Sequence, residues 1–227
     1  MSAARSALLF AVLPLFAACQ SLGIGGDDDT GKVSTANQVR MQGELTGQAG
    51  QLVFQPCNEQ RRYVVSDAGN TSILQESAPL ADSKGRVFAD VRGSLGATKT
   101  QGMDGTLNLT QFYRLERVGN ACSDPNFRRT TIHASGSGPK WTLAASAKGM
   151  VLEREGQPDF AVPYMEEQLP DGRFNLSTEA NDQRVELWVA PQRCVDPTDG
   201  SVQQLSAELR VNGEVRHGCA YFGGARN

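Results

Sequence analysis

From residue 41 onward, apolar and polar positions alternate along the chain. Val87, Ala89 and Val91 are separated by Phe88, Asp90 and Arg92, and Val185, Leu187 and Val189 by Glu186 and Trp188. A period of two marks a strand with one buried face. Leu52-Val53-Phe54, Tyr63-Val64-Val65, Leu107 with Leu109, and Phe112-Tyr113 extend this first series. Asn70, Gly85, Gly93, Gly96, Gly102 and Gly105 punctuate it as turns. Residues 71 to 82 can hold one short helix, which Pro79 would break. A second series begins at Trp141. Trp141 to Ala145 and Met150 to Arg154 flank a turn at Ser146 to Gly149, and Phe160 to Tyr164 and Arg173 to Ser177 flank Pro170-Asp171-Gly172. No long helical period occurs. The fold class expected is all-β: two small antiparallel barrels of OB-like or meander form, residues 41–125 and 134–224. The turn-rich stretch 123–138 lies between them.

The last hairpin, LSAELRVNGEVRHGCA, allows a choice of register. A two-residue loop would set Val211 opposite Glu214, apolar against polar. A three-residue loop, 211 to 213, sets Leu209 opposite Val215, Ala207 opposite His217 and Leu205 opposite Cys219. It also pairs Arg210 with Glu214 and Glu208 with Arg216. Gly213 would then take the left-handed position of a bulged turn. Opposite charges across strands favour that arrangement, so the bulged register is expected, with Cys219 facing inward.

Residues 1 to 40 show neither pattern. Arg5 precedes about a dozen mostly apolar residues, Ala7 to Ala18, too few to span a bilayer core of about 30 Å as a helix. The run ends in Phe16-Ala17-Ala18-Cys19. This resembles the lipobox of bacterial lipoprotein signals, with Leu15 one place early. The resemblance implies removal of residues 1 to 18 and diacylglycerol on Cys19. Acyl chains anchor because each buried methylene contributes about 0.8 kcal/mol. Gln20, where lipoproteins kept at the inner membrane usually carry Asp, implies the outer membrane, on its periplasmic face. Residues 19 to 40 are rich in Gly, Ser, Thr and Asp and are expected to form a flexible linker with a reach of about 25 Å. Asp27-Asp28-Asp29 lies within it as a solvated spacer.

The net charge is −3, and removing Arg5 makes it one unit more negative. Arg61-Arg62 and Arg128-Arg129 are isolated pairs, so nucleic acid is not an expected partner. There are five cysteines. With Cys19 lipidated, Cys57, Cys122, Cys194 and Cys219 remain. An even number in an oxidising compartment implies two disulfides. Of three possible pairings, Cys57–Cys122 and Cys194–Cys219 are expected, because each then lies within one half of the chain. A thiolate metal site is disfavoured: no C-x-x-C occurs, and His133 and His217 are the two histidines.

Signals for catalysis are weak. Ser137-Gly138-Pro139-Lys140 has S-x-x-K spacing, but Gly and Pro oppose the helix that would bring Lys to Ser. Neither G-x-S-x-G nor H-E-x-x-H is present. Glu166-Glu167 would point to opposite faces of a strand. His217, two residues from Cys219, packs on or caps the bridge. Trp188 falls on an outward face, as a binding anchor or under a second buried layer. No catalytic residue, metal ligand or cofactor other than the lipid is expected. Ser135, Ser137, Lys140 and Trp188 are the candidate binding residues.

Two stretches resemble known families. Leu52-x-Phe54-x-Pro56-Cys57, Tyr63-x-Val65, Val87-Phe88, Arg92-Gly93, Phe112-x2-Leu115-Glu116 and Cys122 resemble the N-terminal domain of NlpE-like envelope lipoproteins. Residues 134 to 222 resemble an uncharacterised envelope-lipoprotein domain, through Ala134-Ser-Gly-Ser-Gly-Pro-Lys-Trp141, Cys194-Val-Asp196, Asp199-Gly200 and Gly218-Cys219-Ala220. The first family's C-x-x-C, linked to copper, is reduced here to Cys57, so copper binding is not implied. Together they imply a non-catalytic outer-membrane module that binds or reports envelope stress, partnered by the membrane through its anchor and by an envelope protein. Ser135-Gly-Ser137-Gly is also similar to a loop of membrane-bound lysozyme inhibitors, which implies an alternative: inhibition of a cell-wall hydrolase such as lysozyme.

Overall fold

The computed structural model describes residues 37–48 and 50–226. Cys19, the signal and nearly all of the linker lie outside these residues. No helix among the described residues is long and apolar enough to cross a membrane. The described chain is almost entirely β, organised as two sheets within one compact unit.

The first sheet is built from β1 (Gln38–Gln48), β2 (Gln51–Pro56), β3 (Tyr63–Asp67), β4 (Arg86–Gly96) and β5 (Gly105–Arg117). β1 pairs antiparallel with β2 and β4, β2 with β3, and β4 with β5, while β3 and β5 run parallel. The order β1-β2-β3-β5-β4 therefore closes on itself. A closed five-stranded barrel of this connectivity, with a helix between β3 and β4, has the topology of an OB barrel. The helix, α1 (Ile73–Ser77), runs into a short 3₁₀ turn that contains Pro79. Its Ile73, with Leu80 just beyond, is buried against Leu45, Phe54, Leu107 and Leu115 inside the barrel. Gly43 permits the tight curvature: a Cβ there would lie 2.2 Å from the Gln55 carbonyl oxygen and 2.7 Å from the Phe54 ring.

The second sheet has nine strands. They are β6 (Thr130–Gly136), β7 (Trp141–Ser146), β8 (Gly149–Arg154), β9 (Phe160–Val162), β10 (Met165–Gln168), β11 (Phe174–Ala180) and β12 (Gln183–Ala190), then, after two short strands, β15 (Leu205–Val211) and β16 (Glu214–Phe222). The two short strands, β13 (Cys194–Val195) and β14 (Val202–Gln203), pair with each other, and β14 pairs with β5, so this segment extends the first sheet. The order of the second sheet is β10-β11-β12-β15-β16-β6-β7-β8-β9. Its two edge strands, β9 and β10, are separated in the chain only by Pro163-Tyr164. The sheet therefore curls round its own core of Ile132, Trp141, Leu143, Phe174, Leu187 and Leu209. The alternation read from Val185 to Val189 corresponds to this inner face.

β4 departs from simple alternation. Val87, Ala89 and Val91 face the barrel core, but Phe88 and Asp90 on the other face are as deeply buried, at 2% and 0% exposure. The cover is the second sheet. Arg40 of β1 binds Asp90 through two bonds, Nε to Oδ1 at 2.8 Å and Nη2 to Oδ2 at 2.7 Å. The same guanidinium donates to the carbonyl oxygens of Phe222 (2.6 Å) and Gly223 (2.9 Å), at the end of β16. It also lies 3.7 Å from the centre of the Tyr113 ring. Beside it, Arg114 of β5 lies 4.8 Å from Phe88 and 4.1 Å from Tyr221 of β16. Both expected disulfides are present. Cys57–Cys122 joins the end of β2 to the turn after β5. Cys194–Cys219 joins β13 in the first sheet to β16 in the second.

Several expectations are overturned. Residues 38 to 40, expected in the flexible linker, open β1, and Arg40 is fixed between the sheets by its buried partners. β6 (Thr130–Gly136) lies within the stretch 123–138 expected as turns, because its alternate residues Ile132 and Ala134 are buried in the second core. Residues 194–203, expected in the second domain, pair with β5 of the first sheet. The β15–β16 hairpin uses the two-residue loop, with Asn212 (φ 50°) and Gly213 (φ 89°) both left-handed, and Val211 does stand opposite Glu214. Leu209 faces Arg216, Ala207 faces Gly218 and Leu205 faces Ala220. Two features decide it. A two-residue turn with both φ positive matches the twist of its strands, and Asn212 is bonded both ways to Arg184 of β12, at 2.9 and 2.8 Å. At the far end, Leu205 and Ala220 fill the core, while Ser206 and Cys219 turn outward to the first sheet. Cys219 is thus buried, but against Cys194 rather than in the curled sheet's own core. The apolar–polar mismatch falls at the open end, where the Glu214 side chain is 62% exposed and pairs with Arg216 at 2.9 Å.

Breaking a buried ion pair from one side leaves the partner charge uncompensated, at a cost of about 3–5 kcal/mol. Arg40→Met should therefore lower unfolding free energy by about that amount in urea titration. The double variant Arg40→Met/Asp90→Leu should recover a substantial part.

Candidate functional site

The four candidate binding residues occupy two places on the second sheet. Ser137 and Lys140 are exposed in the turn between β6 and β7, which contains a cis Gly138–Pro139 bond. Ser135, half-buried on β6, stands between Cys219 and Thr142 in register. Trp188 lies elsewhere, on β12. Gly218 is required where β16 passes β6: a Cβ there would lie 2.0 Å from the Ser135 carbonyl oxygen.

Trp188 is half-buried on the outer face of the sheet. Cross-strand pairing places it in a row running Asn175, Trp188, Glu208, His217 across β11, β12, β15 and β16. The next row runs Ser177, Glu186, Arg210, Val215. The indole lines two shallow depressions. One, of about 650 Å³, is bounded by Arg173, Arg193, Glu208, Arg210 and His217, with Cys194 and Gly218. The other, of about 670 Å³, is bounded by Tyr164, Glu167, Asn175, Arg184 and Glu186.

Ion pairs organise both depressions. Arg210 lies 5.3 Å from the indole centre and binds Glu208 at 2.6 Å. His217 Nδ1 is 3.8 Å from the same carboxylate. Arg193 holds Glu76 of α1 through two 2.6 Å bonds, so the first barrel contributes to the rim. Arg173 is 3.6 Å from Asp171. Across the indole, Arg184 pairs with Glu186 at 2.8 Å and with Glu179 at 3.7 Å. Two aliphatic side chains on this side are open to water: Met165, 74% exposed, and Val215, 47% exposed.

Sequence reasoning singled out Trp188 and missed this surround. Glu208 and Arg210 were visible as the polar partners of an alternating strand. Arg173 and Arg193 come from loops whose positions depend on the whole fold, and no local pattern marks them.

Among the described residues, no group of three or more His, Cys, Asp or Glu is arranged to hold a metal ion. The two histidines have different surroundings. His217 is exposed on the Trp188 face. His133 lies between the sheets, stacked on Tyr221 with ring centres 5.0 Å apart. Its Nδ1 is buried and has no hydrogen-bond partner. Desolvation, with repulsion from Arg114, holds His133 down to about 4, against a small opposing pull from Asp124. Burial pushes the Tyr221 hydroxyl up to about 12. It also raises the Glu116 carboxyl, despite the Arg114 guanidinium 3.2 Å away.

No protein-family model matches the chain, and no curated protein or solved structure is significantly similar to it.

The His133 shift has a definite sign. Below about pH 6.5 the unfolded chain takes up a proton that the native state refuses until about pH 4. Stability should therefore fall as pH drops through that window, by about 2–3 kcal/mol at the lower end, and this contribution should be absent above it. Glu116 acts in the opposite sense. Comparing urea unfolding of wild type and His133→Phe between pH 7 and 4 isolates the histidine: the variant should lose less stability on acidification.

Proposed function

We propose that this chain is a lipid-anchored envelope lipoprotein of the outer membrane, facing the periplasm, whose described domain is a non-catalytic binding module. Phe16-Ala17-Ala18-Cys19, followed by Gln20, supports the anchor and the address. Two disulfides, Cys57–Cys122 and Cys194–Cys219, are in keeping with an oxidising compartment. The observation that carries the binding role is the Trp188 face. A large aromatic side chain stands partly exposed between two depressions, away from either core, with ionic side chains on both flanks. Aromatic anchors among polar groups are a usual form of recognition surface. The resemblance of residues 52–122 to NlpE-like lipoproteins is what supports a role in envelope homeostasis or stress reporting, with an envelope protein as partner.

A second reading is supported by the β6–β7 turn. Ser137 to Lys140 form an exposed tip, as an inhibitor loop entering a hydrolase cleft requires. Full lytic activity of lysozymes mixed with the protein would dispose of it.

The anchor is tested by intact mass of the membrane-extracted protein, alkylated with and without prior reduction. A chain beginning at an acylated Cys19, with four thiols alkylated only after reduction, is expected. An unprocessed chain, or thiols free before reduction, would contradict the proposal. Gln20→Asp should retain the protein at the inner membrane and raise an envelope-stress reporter. An unchanged reporter would remove the stress role.

A further inference from the structure

The Trp188 face has a chemical character that narrows its ligand. Its guanidinium groups come with carboxylate partners. Arg173 stands by Asp171, Arg193 by Glu76 and Arg210 by Glu208 on one side, and Arg184 stands by Glu186 and Glu179 on the other. Charge is therefore dense, cancelled around the first depression and net acidic around the second, where Glu167 adds to Glu186 and Glu179 against Arg184. What remains is an array of donors and acceptors a few ångströms apart, fixed by their ion pairs, with one aromatic ring between.

An anionic ligand would find no net positive field here. An apolar peptide side chain would find no deep pocket in either depression, since both are shallow and mix polar with apolar lining. A pyranose fits the combination. Its vicinal hydroxyls both donate and accept, so each can bridge a guanidinium N–H and a carboxylate oxygen. Its C–H face is apolar and packs against an aromatic ring. Each depression, at about 650 and 670 Å³, lies within the usual range for small-molecule sites. Because the indole lines both, a linear ligand that fills one and continues into the other must cross it.

Resting on the reading of the domain as a binding module, we infer that the Trp188 face binds a neutral oligosaccharide across strands β11 to β16, with the indole under the central sugar. Glu208 and Arg210 hold hydroxyls on one side, and Glu186 and Arg184 hold them on the other. The same chemistry is present in cell-wall glycan strands and in unmodified polysaccharides.

The test is calorimetric titration of the full chain in detergent with the tetramer of N-acetylglucosamine, the β-1,4 tetramer of glucose, and an uncharged tetrapeptide. Saturable binding of either sugar is expected, weakened at least tenfold in Trp188→Ala and at least severalfold in Glu208→Gln. Preference for the acetylated tetramer would assign the cell-wall source, and equal binding would assign a polysaccharide without acetamido recognition. Emission from Trp141, which is 1% exposed in the core, confirms that the Trp188→Ala variant is folded. Absence of saturable binding for both sugars up to about 10 mM, binding unaffected by Trp188→Ala, or binding of the peptide alone would overturn the inference. The lipid anchor and the disulfides, read by mass, stand or fall separately.

Discussion

The joint between the sheets rests on one buried ion pair. Arg40 and Asp90 have almost no exposed side-chain surface, 5% and 0%. A charge so placed is tolerable only when its hydrogen-bonding groups are nearly all occupied. Asp90 accepts from Arg40 and Gln42, while Arg40 donates to Asp90 and to two carbonyl oxygens of the other sheet. Those carbonyls, at Phe222 and Gly223, exist in that position only if β16 is in register. The pair therefore couples the closure of the barrel to the last strand of the chain. Apolar packing alone would hold the sheets less specifically, since it does not distinguish one offset from the next. Around the pair, Arg114 is held against the Phe88 and Tyr221 rings, and Cys194–Cys219 fixes β13 to β16.

This coupling explains what was legible in the sequence. Period-two alternation was enough for the strands whose second face meets water, such as β12 and β15. It was enough for the all-β class, while cysteine parity and pairing within each half of the chain were enough for both disulfides. It failed where two faces are buried. Phe88 and Asp90 read as the outward residues of β4, and nothing local shows that a second sheet covers them. The hairpin register failed for a related reason. Local charge pairing favoured the bulged turn, but the actual register is set by Ala220, Cys219 and Asn212, which answer to other strands. Likewise, nothing around Cys194 to Gln203 announces that this stretch leaves its neighbours to pair with β5.

The same constraint shapes the Trp188 face. One side of β16 and β6 is used up at the joint, through Tyr221, His133 and Cys219. Further along the same sheet the outer face is free of the first barrel, and there Trp188 stands. The strap that carries Arg193 and Cys194 runs from this face to the first sheet, and Glu76 of α1 meets Arg193 at its rim. The Trp188 face and the joint are thus built from the same strands. Trp188 was legible as a candidate because a large aromatic on a polar face is conspicuous. The ion pairs that surround it are tertiary, and only the fold brings them together.

Because their joint is buried and ionic, the two sheets should unfold as one cooperative body. Native-state hydrogen exchange tests it directly, by comparing the opening free energy of β4 amides in the barrel with that of β12 amides in the curled sheet. The account predicts that both are lost in a single global unfolding with the same free energy and the same denaturant dependence. Exchange of β4 through a smaller opening, while β12 remains protected, would contradict it and make the joint a loose contact between two independent domains.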